Sequence, residues 1–131
     1  MTLQFSSTLR NDRVGQIQTR VALAGGTFVL RILTGAEPAN CAAAQTGTLL
    51  ATINLPATFL TSSGGVTTIA GTWSVAASGT GTAGYWRIYD GAGTPVCHVQ
   101  GDMTDLVLNN NSITATQTVT VTSFSVTDGN A

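Results

Sequence analysis

The chain has 131 residues, one domain's worth, and a chain of that size buries roughly two thirds of the surface its unfolded form exposes. Charged residues make up only 8%, all five cations are Arg, and the net charge is -1, so no basic surface exists for nucleic acid or an anionic membrane. At 43% hydrophobic the chain is too apolar to be disordered, and no apolar run approaches the ~20 residues of a membrane-spanning helix.

Met1-Thr2-Leu3-Gln4 carries no charged stretch ahead of an apolar run, so no secretory leader is expected. Residues 1–7 read as an N-terminal arm. A helix is expected over residues 8–24, capped by Ser6 or Ser7. Leu9, Val14, Ile17 and Val21 follow at near-helical spacing, with Arg10, Asn11, Asp12, Gln18 and Arg20 mostly on the other side. Gly25-Gly26 ends it. Gly15 stands mid-segment, at about 1 kcal/mol against Ala.

The period then changes from helical to two. Residues 27–33 put Phe28, Leu30 and Ile32 on one face and Arg31 on the other. Residues 34–38 break that strand, and 39–45 form a loop or one short helical turn. Leu49, Ala51, Ile53 and Leu55 alternate with Thr48, Thr52 and Asn54 in a second strand ended by Pro56. Ser62-Ser63-Gly64-Gly65 is a turn. Residues 66–76 read as one long strand with Ile69, Trp73 and Val75 on one side. Tyr85 to Tyr89 and Val96 to Gln100 form a hairpin around Asp90-Gly91-Ala92-Gly93. Leu106-Val107-Leu108 is short and apolar, and Asn109-Asn110-Asn111 is a turn.

Gln117 to Thr127 closes the chain. Val119 and Val121 share one parity, Phe124 and Val126 the other. Either a bulge near Ser123 puts all four on one face, or the strand is buried on both faces. Seven or eight short strands separated by turns indicate a mostly β chain: a single β-sandwich or jelly-roll-like domain over residues 27–127, with the N-terminal helix covering an open end or sheet edge.

One internal echo stands out. Leu30-Arg31-Ile32-Leu33-Thr34-Gly35-Ala36, followed by Cys41, resembles Trp86-Arg87-Ile88-Tyr89-Asp90-Gly91-Ala92, followed by Cys97, at a constant offset. It is either a duplicated strand–turn unit giving two similar hairpins or the ordinary likeness of short β–turn stretches. The segments after each Cys do not match, which favours the second reading.

The chemical inventory is thin. Gly79-Thr80-Gly81-Thr82-Ala83-Gly84 fits G-x-G-x-x-G, but an aromatic strand follows where a nucleotide-binding loop needs a helix, so it reads as a hairpin loop. His98 is the lone histidine. It adjoins Cys97, but neighbouring strand residues point to opposite faces, which disfavours a Cys–His dyad. Two Cys and one His fall short of a four-ligand zinc site. Asp102 and Asp105 beside Asn109 to Asn111 fit no known cation loop, and turn chemistry explains them equally. Asn110-Asn111-Ser112 matches a glycosylation sequon and, without a leader, reads as a turn. No cofactor or metal is expected, and Cys41 and Cys97 are expected to be unbridged thiols.

On the strand from Tyr85 to Tyr89, Trp86 and Ile88 share one face while Tyr85, Arg87 and Tyr89 share the other. With the first face in the core, the Tyr–Arg–Tyr face points outward. It is either a contact surface, since Tyr and Arg are enriched at interfaces, or a sheet covering. Trp73, on the parity of Ile69 and Val75, is expected in the core.

Several segments carry a wider likeness. Leu3-Gln4-Phe5-Ser6-Ser7-Thr8-Leu9-Arg10-Asn11 opens the chain. Leu30-Arg31-Ile32 leads to Thr34-Gly35-Ala36 and Pro38-Ala39-Asn40-Cys41-Ala42-Ala43. Gly81-Thr82-Ala83-Gly84 leads to Trp86-Arg87-Ile88, then Cys97-His98-Val99-Gln100-Gly101, and Gln117-Thr118-Val119-Thr120-Val121-Thr122-Ser123-Phe124 closes the pattern. In these the chain resembles a family of small virion proteins encoded by tailed bacteriophages. The resemblance spans nearly the whole chain, through structural motifs.

It implies a non-enzymatic virion protein, assembled in the bacterial cytoplasm. The first expectation is a cement, or decoration, protein bridging major-capsid subunits, with that protein or neighbouring copies of this chain as partners and a homo-oligomer allowed. A tail or fibre-associated component is second. A carbohydrate-binding module stacking sugars on Tyr85, Tyr89 or Trp73 is third, and an enzyme last. Leu3, Phe5, Tyr85, Arg87 and Tyr89 are the expected contact residues.

Overall fold

Ser6 starts the helix. In the computed structural model, which describes residues 3–127, the Ser6 Oγ accepts the N–H of Leu9 at 3.1 Å, and α1 runs over Ser7–Leu23. Ala24 caps its far end, and Gly25 and Gly26 follow at φ +69° and +68°. A Cβ on Gly26 would lie 2.3 Å from the carbonyl oxygen of Gly91. The exit of the helix therefore rests backbone against backbone on a distant hairpin turn. Of the expected arm, Met1 and Thr2 lie outside the described residues.

The buried stripe of α1 is narrower than its sequence suggests. Val14 and Val21 are buried and Ile17 packs on the core, but Leu9 is 44% exposed. Gln18, expected on the outer side, turns inward instead. Its Oε1 accepts the N–H groups of Phe59 and Leu60 at 2.8 and 3.0 Å, and its Nε2 donates to the Ala57 carbonyl. Asn11 accepts the N–H of Gly65, and Arg10 donates to the Gly64 carbonyl. The helix thus lies over a sheet edge and takes up backbone groups that an edge leaves unpaired, as expected.

Eleven strands follow among the described residues: β1 (Val29–Leu33), β2 (Leu49–Asn54), β3 (Leu60–Ser63), β4 (Val66–Ile69), β5 (Ser74–Ala76), β6 (Gly81–Thr82), β7 (Tyr85–Tyr89), β8 (Cys97–Asp102), β9 (Leu106–Leu108), β10 (Ser112–Ile113) and β11 (Thr118–Thr127). One sheet has the order β2-β1-β7-β8. The other runs β3-β4-β11-β5, with β9 also paired to β11, and β10 pairs with β6 in a small ribbon. All pairings are antiparallel. The expected mostly β, sandwich-like domain with one N-terminal helix is what the chain forms.

Two details correct the expectations. The long strand over 66–76 is two strands, β4 and β5, separated where Gly71 takes φ +75°. Trp73 therefore precedes β5, and its buried position owes nothing to strand parity. Its Nε1 donates to the Ala70 carbonyl, and its own carbonyl accepts the N–H of Val121. The segment before Ser62 also pairs, so β3 and β4 make a hairpin around Gly64-Gly65.

The bulge in the last strand is present. Val121 pairs with Leu108 and Ser123 with Val107, so Thr122 is the extra residue. Val119, Val121 and Phe124 are thereby buried on one side, with Val126 packed beside them.

Both sheets meet over an aromatic chain. Phe28, Phe59, Trp73, Phe124 and Trp86 follow one another with ring centroids 5.2, 6.0, 5.9 and 5.1 Å apart, the last pair edge to face. Trp86 comes from the first sheet and Phe124 from the second, so this contact closes the sandwich.

The internal echo has a structural counterpart. β1 and β7 are neighbours with Arg31 directly opposite Arg87, and β2 and β8 flank them on either side. Leu30 faces Ile88 and Ile32 faces Trp86, as a local two-fold between the two arginines requires. The repeated segments thus form two similar hairpins side by side, contrary to the reading that the likeness is incidental.

Candidate functional site

Every residue of β7 is buried, which alternation alone does not predict. Trp86 and Ile88 face the core. Tyr85, Arg87 and Tyr89 face the other way and are 0%, 1% and 8% exposed. The outward contact surface expected at Tyr85, Arg87 and Tyr89 is therefore not there. The reason is the connection between β1 and β2, residues 34–48, which folds across that face as a strap.

Arg87 holds the strap down. Its Nη2 donates to the carbonyls of Asn40 and Ala43 at 3.1 and 2.9 Å, its Nη1 to the Tyr89 hydroxyl at 3.1 Å, and its Nε to Gln100 Oε1 at 3.0 Å. The Asn40 side chain shapes the strap by accepting the N–H groups of Ala42 and Ala43. Tyr85 accepts the N–H of Thr46 and donates to its carbonyl. Gln100 donates onward to the Pro38 carbonyl at 2.7 Å.

Arg31 lies on the same face. Its guanidinium stacks over the Tyr89 ring at 4.4 Å, its Nη1 donates to Gln45, and its buried Nε has no partner among the described residues. The acceptors named for both arginines are all neutral. Burial alone would lower the Arg87 pKa, but the Tyr89 hydroxyl and the neighbouring tyrosine and thiol groups raise it, so the guanidinium stays charged.

Cys41 and Cys97 both belong to this region. Both are free and half-buried. Cys97 stands opposite Tyr89 on β8, and Cys41 sits in the strap between Asn40 and Ala43. Burial, and then the neighbouring Cys41 thiol, push Cys97 up to about 12.

His98 belongs to a different cluster. Its Nε2 lies 2.9 Å from Oδ2 of Asp90, which is 6% exposed. The other Asp90 oxygen accepts the N–H groups of Ala92 and Val96. Burial would raise the Asp90 carboxyl, but those two N–H groups and the His98 ring together hold it below its ordinary value. The cluster ties the β7–β8 turn at three points, and among the described residues no hydroxyl or thiol is hydrogen-bonded to His98.

Asp102 accepts the N–H and hydroxyl of Thr104, a turn arrangement that lowers its pKa. Among the described residues no three His, Cys, Asp or Glu side chains converge. Trp73, Tyr85 and Tyr89 are all buried, so the glycan-stacking platform weighed for them does not exist.

Leu3 and Phe5 remain accessible. Leu3 is 68% exposed, while Phe5 is partly covered by the Arg13 guanidinium, 4.6 Å above its ring. Leu23, Val96 and Val107 add exposed apolar surface at 69%, 50% and 49%. A cleft of about 280 Å³ opens between β8 and the end of β11, floored by Trp86 and Phe124.

Asn40, Gln45, Gln100 and Asp90 are organising residues that sequence reading passed over. Gln100 has a signal in hindsight: hairpin register sets it opposite Arg87. Comparison with known protein families, curated proteins and solved structures finds no match for this chain.

Proposed function

We propose that this chain is a non-enzymatic structural protein of a tailed-bacteriophage particle, a capsid cement protein that bridges major-capsid subunits. The observation that carries the reading is the contrast between its sheet edges. α1 lies mainly over β3 and β4 and touches β8 less, and among the described residues β8 ends its sheet with no further strand alongside. β8 has neither Pro nor Lys to guard that edge. An unguarded strand accepts a partner strand through main-chain hydrogen bonds. The exposed Leu3 ahead of the helix offers a second, apolar point of contact.

Such a contact uses few charges and tolerates salt. Many copies binding the assembled shell better than free subunits stabilise the shell by mass action. The long flexible Lys side chains whose ordering would oppose docking are absent.

The test is particle assembly without the protein. Those particles should release DNA at a lower temperature, and adding the protein back in molar salt should restore them. The Leu3→Asp variant should fold normally and restore them poorly. Particles that lack the protein, stay equally heat-stable and fail to attach to cells would replace the cement reading by a tail component.

A further inference from the structure

We infer that Cys41 and Cys97 form a convertible thiol pair, which a disulfide oxidant closes into a bond stapling the strap to β8. The pair occupies corresponding positions in the two echoed segments, and the fold brings both segments together around Arg87. Arg87 fixes both sides of the contact. It holds the carbonyls of Asn40 and Ala43, which flank Cys41 in the strap, and it bonds the hydroxyl of Tyr89, the residue opposite Cys97. Burial and the neighbouring Cys41 thiol together raise the Cys97 pKa, and the Cys97 Sγ–H donates to the Val99 carbonyl at 3.5 Å. Neither thiol is fully buried, so a small oxidant has access.

The chemistry runs by thiol–disulfide exchange with a low-molecular-weight disulfide such as oxidised glutathione. The Cys41 thiol gives its proton to water, and its sulfur attacks one sulfur of the oxidant. The oxidant's S–S bond breaks, and one reduced glutathione leaves after taking up a proton. The Cys97 thiol then loses its proton and attacks the Cys41 sulfur. The mixed disulfide breaks, the protein disulfide forms, and the second glutathione leaves protonated. Two protein thiols are oxidised and one oxidant molecule is reduced to two thiols. Burial keeps the thiolate of Cys97 scarce, so the step in which Cys97 attacks is the slow one.

The pair stays reduced in a reducing cytoplasm and closes outside it. Closure ties together segments far apart in sequence, which constrains the unfolded chain. This inference stands on the strap geometry and is independent of the particle role.

The purified protein, incubated with oxidised glutathione and then alkylated, tests it. The expected product is a monomer two hydrogen atoms lighter, with neither Cys alkylated. Its melting temperature should rise by roughly 10 °C, and a dithiol reductant should reverse the rise. Cys41→Ser and Cys97→Ser should each lose the two-hydrogen change. Two alkylated thiols after oxidation, a stable glutathione on each Cys, or a disulfide-linked dimer would each overturn the proposal. The wild-type mass alone decides it if either variant fails to fold.

Discussion

Arg31 and Arg87 stand directly opposite each other on neighbouring antiparallel strands, and the acceptors that hold their guanidinium groups are all neutral. Like charges facing each other across a sheet oppose pairing. Here the cost is offset by fixed dipoles: strap carbonyls, two Gln side chains and the Tyr89 ring and hydroxyl. The strap is therefore part of the sheet's electrostatics as well as its cover.

Replacing Arg87 by Leu should destabilise the protein by about 3–5 kcal/mol, because four acceptors lose a buried charged donor. Arg87→Lys should not rescue it, since one ammonium cannot span acceptors arranged for a planar fork. Urea melts of the three proteins check this, and an unchanged midpoint for Arg87→Lys would show that charge alone suffices.

Trp73 is fully buried between Phe59 and Phe124. Trp73→Ala should cost about 3–5 kcal/mol. A melting temperature equal to that of the parent would mean that the aromatic chain contributes little.

Two glycines should respond with opposite sign. A Cβ on Gly15 of α1 meets only the Ser62 hydroxyl at 3.7 Å, an ordinary contact. Gly15→Ala should stabilise by about 0.5–1 kcal/mol through helix propensity and a less flexible unfolded chain. A Cβ on Gly91 would lie 2.2 Å from the Gly25 carbonyl oxygen, and neither backbone can retreat without moving the helix or the turn. Gly91→Ala should destabilise. Thermal melts of both variants give the signs directly.

Asp90 makes stability depend on acid. Its folded pKa lies below its ordinary value, so the unfolded chain binds the proton more readily. The stabilisation is complete well above the unfolded value of about 3.9 and is lost as pH falls through the folded one. Asp90→Ala should remove that part of the acid dependence. It should also cost about 1–3 kcal/mol at neutral pH by leaving the N–H groups of Ala92 and Val96 unpaired. Chemical melts across acid pH would refute this if the two proteins kept parallel stability curves.

The readable parts of the fold were those set by local chemistry. Ser6 and Gly25-Gly26 bound the helix, and alternation around Ile53 marks its strand. The parity break between Val121 and Phe124 allows a bulge or a strand buried on both faces, and Thr122 is the bulge's extra residue. What escaped reading is long-range. Parity places Tyr85, Arg87 and Tyr89 on the face away from Trp86, but it says nothing of what covers that face. The cover is a strap more than forty residues away, held by backbone carbonyls that carry no side-chain signature. Gln18 misled for the same reason: a polar residue belongs outside a helix unless a strand edge waits for it. Trp73 is in the core, but not through the strand parity that predicts it there, because it precedes β5.

β11 pairs in succession with β5, β9 and β4 along its ten residues. During synthesis, then, the β3–β4 hairpin, β5 and β9 emerge from the ribosome with no common partner and wait for the strand made after them. Their joining awaits β11, and a nascent chain stalled before residue 118 presents unjoined strand edges to its surroundings. Chaperone demand should peak in that interval and fall once residue 127 is free to thread between them.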